Sequence, residues 1–142
     1  MTMRRRRGKT LLIAAVTSLA LPVMAEPGEY WQLTTKMEMV GMPMAMPPVT
    51  MKLCVPKGAE RDPRHSADKD CTMSDVKINS NGSSWKVRCV KDGEVMTGIG
   101  EMKGDANQWA GTIRMSGVTG GQKFDMTNHL QSKRLGGSCE AK

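Results

Sequence analysis

Six methionines, Met37, Met39, Met42, Met44, Met46 and Met51, fall within fifteen residues of one another, and they are the most unusual chemistry in this sequence. Thioether sulfur is soft and prefers Cu(I) or Ag(I). An extended Met-x-Met spacing places alternate side chains on one face, and Pro43, Pro47 and Pro48 favour an extended backbone. Met37, Met39, Met42, Met44 and Met46 are therefore the candidate metal ligands, and Cu(I) is the one cofactor the pattern suggests. The plainer reading is packing. A chain this poor in Leu and Phe fills its core with Met, or lays an adaptable Met surface against a lipid or partner protein.

Other chemistry is sparse. His65 stands among Arg61, Asp62, Arg64, Asp68 and Asp70, where a carboxylate could orient it as a general base, but a solvated loop histidine is the ordinary interpretation. His129 reads as a polar-face strand residue. Glu101 and Asp105 flank a turn, and two acids near each other in sequence are not a glycosidase pair without a known separation across a cleft. The chain has no G-x-S-x-G, H-E-x-x-H, P-loop or dinucleotide-binding glycine motif. The expected catalytic set is empty.

The elements that must position these residues begin after an address segment. Arg4 to Arg7 and Lys9 form a basic n-region, Leu11 to Leu21 a short apolar run, and Val23-Met24-Ala25 a small-residue cleavage site. This predicts a signal peptide over 1–25, cleavage after Ala25, a periplasmic destination and a single β domain over 26–142. The apolar run is shorter than the roughly 20 residues of a membrane span, so no spanning segment is expected after cleavage. Residues 1–25 carry five basic groups and no acids, so the remainder has a net charge of +2 instead of the whole chain's +7. A nucleic-acid partner loses its electrostatic support with them.

Cys54, Cys71, Cys89 and Cys139 are an even set in an exported chain and read as two disulfides. No pair has the spacing of a structural zinc site. The favoured pairing joins Cys54 to Cys71 around a loop of breaker residues, and Cys89 to Cys139.

From Cys71 onward apolar residues alternate with polar ones, punctuated by Asn81-Gly82, Asp92-Gly93, Gly104-Asp105 and Gly120-Gly121, which suit hairpin turns. This predicts strands over 72–79, 84–91, 94–103, 108–117 and 122–134. Upstream, strands are expected over 30–39 and 50–55, with any helix brief and confined to the 56–70 loop. The fold class is all-β: an antiparallel meander of about seven strands forming a strongly curved sheet, a small up-and-down barrel or a sandwich. Gly98, Gly100, Gly111 and Gly117 should mark bulges or tight bends.

Gly28-Glu29-Tyr30-Trp31 leading into Thr34 to Met39, then Gly41 to Pro48, Cys54-Val55-Pro56, Asp70-Cys71, Trp85 to Cys89, Gly100-Glu101-Met102 and Gly111-Thr112, resemble the proteobacterial domain-of-unknown-function family 3617. The likeness covers nearly all of the expected mature chain. It implies a small exported protein with structural cysteines and brings no activity, cofactor or site residue with it. The expected function is a non-enzymatic binding or envelope-maintenance module that contacts an apolar ligand or envelope protein. A periplasmic Cu(I)-binding protein is the alternative, and a hydrolase comes third.

Overall fold

A computed structural model of the chain describes residues 26–42 and 46–141. The expected signal segment 1–25 and Pro43, Met44 and Ala45 lie outside the described residues. Seven strands follow in order: β1 (Glu26–Met39), β2 (Val49–Pro56), β3 (Cys71–Asn79), β4 (Gly82–Lys91), β5 (Glu94–Gly104), β6 (Gln108–Thr119) and β7 (Gln122–Ala141). The loop before β3 holds one turn of 3-10 helix, Pro63–Ser66, started by the Asp62 side chain accepting from the Arg64 backbone N–H.

All pairings are antiparallel, in the spatial order β2-β1-β7-β6-β5-β4-β3. Asp92-Gly93 and Gly120-Gly121 adopt positive φ at both residues, which matches the turn twist to that of the flanking strands. Asp105 caps the β5–β6 turn by accepting from the Asn107 and Gln108 N–H groups. The two ends of the described chain meet, since β1 pairs with β7 along its whole length. The sheet stays open because β2 and β3 occupy opposite edges, joined by residues 57–70 instead of by hydrogen bonds.

That edge placement overturns the expected cysteine pairing. Cys54 and Cys71 lie on strands at opposite edges of the sheet and are not joined. The bridges are Cys54–Cys139 and Cys71–Cys89. Cys71 and Cys89 are direct cross-strand neighbours on β3 and β4. Cys54–Cys139 links β2 to β7 across the intervening β1, with 6.0 Å between Cα atoms. The bridge passes over Gly28, where a Cβ would stand 2.8 Å from Cys54 Sγ and 2.7 Å from the Val55 carbonyl oxygen. Only a residue without a side chain fits beneath this staple.

Of the bulges or tight bends expected at the strand glycines, the bulges are absent. No register shift occurs at Gly98, Gly100, Gly111 or Gly117, so none is a bulge. Instead they are places of close approach: the Trp85 ring lies over Gly100, and a Cβ there would come within 2.2 Å of it. Large side chains folded over glycines let one face of a single-layer sheet bury itself. Trp85, Val87, Cys89 and Met102 form its buried cluster, flanked by half-buried Met73, Met96, Trp109, Ile113 and Met115. A second buried point is Trp31, 1% exposed, set between Leu53 on β2 and Arg134 on β7.

Candidate functional site

Period-two alternation gives the sheet one apolar and one polar face. The register aligns the apolar face into lateral rows. One row runs Met39 on β1, Met126 on β7, Met115 on β6, Gly98 on β5, Val87 on β4 and Met73 on β3. The next runs Met37, Asn128, Ile113, Gly100 and Trp85. Most side chains in these rows are only half-buried, and the described residues contain no second layer to cover them.

Two of the five expected metal ligands, Met37 and Met39, therefore belong to this sheet face. Met42 and Met46 lie on the β1–β2 connection, 59% and 49% exposed, and Met44 falls outside the described residues. Met51, 44% exposed, sits on edge strand β2 opposite Leu33. The structure thus divides the Met segment between a sheet face and an exposed connection. It also gathers five methionines that linear spacing left scattered: Met73, Met96, Met102, Met115 and Met126 share the apolar face with Met37 and Met39. The signal that could have found them is their alternation parity within each strand.

Polar atoms are set into this apolar face. Asn128 lies between Met37 and Ile113, and its Oδ1 is buried without a hydrogen-bond partner among the described residues. Trp31 Nε1, Trp85 Nε1 and Ser83 Oγ are buried and unpartnered as well. Beside Trp31, the Arg134 guanidinium donates through Nε and Nη2 to the two Glu29 carboxylate oxygens, at 2.5 and 2.7 Å. That forked pair places matched charge beside Trp31.

The two histidines lie apart in the structure, each in a local polar contact. His65 Nδ1 contacts the Asp62 carbonyl oxygen within the 3-10 turn. His129 Nε2 lies 3.2 Å from Glu38 Oε2 on the polar face, and Lys36 Nζ donates to the same carboxylate at 2.9 Å. Lys36, and then His129, hold the Glu38 carboxyl below its ordinary range. Asp62 is lowered chiefly by its hydrogen bond from Arg64, and Asp105 by the Asn107 and Gln108 N–H groups.

Across β3 to β6 the polar face has an open depression of about 670 Å3 lined by Asp75, Lys86, Ile99, Glu101, Thr112 and Arg114. Asp75 is tied to Lys86 at 2.7 Å, which also lowers its pKa. Glu101 lines this depression, whereas Asp105 is committed to its turn, so the sequence pair forms no joint site.

Among the described residues no helix is long and apolar enough to cross a membrane. The two disulfides suit an oxidising environment, extracellular or periplasmic. No curated protein and no solved structure matches the chain. The family model described as "Protein of unknown function (DUF3617)" matches residues 25–139, and the chain belongs to that family.

Proposed function

We propose that this protein is a non-catalytic periplasmic binding module whose methionine-lined sheet face receives the acyl chain of an amphiphile. The observation that carries this reading is the half-buried apolar face of a single-layer sheet, with Met39, Met126 and Met115 side by side across three strands. Thioether side chains are unbranched and readily repacked, so such a face adapts to a flexible chain better than a Leu or Val surface would. Asn128 at its centre supplies a carbonyl acceptor suited to a hydroxyl or amide near the chain's polar end.

Titration of the oxidised protein with a bromine-labelled fatty acid, read by tryptophan fluorescence, tests the reading. Bromine quenches indole on contact, so Trp109, half-buried on this face, should be quenched in a saturable, one-to-one manner. Met126→Leu should retain binding and Met126→Asp should lose it. Absence of quenching below the micelle concentration, or equal binding by the Asp variant, would refute it.

A soft-metal role draws on a different observation, the exposure of Met42 and Met46 on the β1–β2 connection. It predicts stoichiometric Cu(I) uptake that survives Met126→Leu and disappears when Met42 and Met46 become Leu.

A further inference from the structure

The two open edges of the sheet differ in how they meet other strands. Edge strand β3 carries the usual obstacles: a register break between Ser74 and Lys77, Asp75 at φ +50°, and charges at Asp75 and Lys77. Edge strand β2 has neither a register break nor a positive φ. It pairs with β1 without a register break from Val49 to Pro56, and its one charged residue is Lys52. The Lys52 ammonium is drawn back over the Tyr30 ring on β1, 3.9 Å from its centroid, which takes that charge off the free edge. Val49 and Met51 are left 57% and 44% exposed beside a row of backbone donors and acceptors that no other described strand pairs.

We infer that β2 is a dimerisation edge, pairing antiparallel with β2 of a second copy to continue the sheet through a two-fold axis at Met51. Facing residues in an antiparallel pair point to the same side, so a two-fold must be centred on a residue for apolar to meet apolar. A centre at Lys52 sets two ammonium groups opposite each other. A centre at Leu53 sets Pro56, which lacks an N–H, against Thr50 and leaves Val49 uncovered. A centre at Met51 pairs Met51 with itself, Val49 with Leu53 and Thr50 with Lys52, which covers both exposed apolar side chains and separates the lysines. A centre at Thr50 also sets Val49 against Met51, but it pairs only residues 49–51 of the strand and puts Pro48, which lacks an N–H, against Lys52. A second copy is the fitting occupant because the strand is complementary to itself over residues 49–53 about Met51. The apolar faces of the two copies then form one continuous surface.

The register gives the test its sign. Sedimentation equilibrium of the oxidised protein should show a monomer–dimer equilibrium. Thr50→Lys, which faces Lys52 of the second copy, should raise the dissociation constant at least tenfold. Thr50→Glu should lower it, and high salt should shrink the gap between the variants. Both substitutions remove the same Thr34–Thr50 hydroxyl contact, so that loss cancels between them. Near-UV circular dichroism confirms that each variant is folded. A wild-type protein that stays monomeric at millimolar concentration, or a dimer on which the two substitutions act equally, would overturn the proposal.

Discussion

The two disulfides close loops of very different length, and this makes a quantitative prediction. Cys54 and Cys139 are 85 residues apart, Cys71 and Cys89 only 18. If a bridge acts mainly by restricting the unfolded chain, the loop-entropy relation assigns about 4.6 kcal/mol to the long bridge and about 3.2 kcal/mol to the short one. The difference, about 1.4 kcal/mol, is tenfold in the folding equilibrium. Removing cysteines also disturbs packing, since Cys89 is buried, so comparison with wild type would mix two effects. The clean perturbation keeps sequence fixed. In Cys71→Ala/Cys89→Ala protein only the long bridge remains, and in Cys54→Ala/Cys139→Ala protein only the short one. Each is unfolded in urea in its oxidised and reduced forms, with sucrose added if the reduced form is marginal. The gap between the two forms should be larger for the long bridge. A gap equal to or smaller than that of the short bridge would show that loop entropy does not govern these staples, and that strain over Gly28 or residual unfolded-state structure does.

Other perturbations follow from single contacts. Gly28→Ala forces a methyl against the Val55 carbonyl and Cys54 Sγ and should cost about 1–3 kcal/mol in urea titration, with a smaller loss once Cys54 is Ala. Gly100→Ala meets the Trp85 ring and should lower the melting temperature while red-shifting tryptophan emission. Asn128→Leu removes a buried orphan acceptor and should stabilise the fold by about 1–2 kcal/mol while weakening any ligand that donates to it. Asp62, Asp75, Asp105 and Glu38 all have lowered pKa values in the folded state. Their contribution is therefore present above their ordinary values of 3.8 and 4.5 and is lost as pH falls below them, so urea midpoints should hold steady near neutrality and drop on acidification.

Alternation and turn dipeptides carried most of the fold, because each is a local consequence of strand and hairpin geometry. The pattern from Trp85 to Cys89 and the Asp92-Gly93 turn suffice to place β4 and its partner. The cysteine pairing was not legible, since it depends on which strands become edges, and the 57–70 connection decides that. The end of β7 was missed for a related reason: Leu135-Gly136-Gly137-Ser138 looks like a turn, yet pairing with β1 and the bond to Cys139 hold it as strand, with Gly136 and Gly137 at positive φ. For the site, linear clustering drew attention to Met37 through Met46. Register across the sheet instead joins Met39 to Met126 and Met115, residues 87 and 76 positions further along. Sequence alone does not carry that information.

The pairing of β1 with β7 has a kinetic consequence. The first described strand cannot complete its hydrogen bonds until the last one has emerged, so a chain made from its N-terminus holds a Met- and Trp-bearing strand with one side unsatisfied for most of its synthesis. Closing so long a loop makes this a slow step, which the β3 to β6 hairpins can precede. During that interval β1 is the segment most open to mispairing, and a holding chaperone would find its clearest target there.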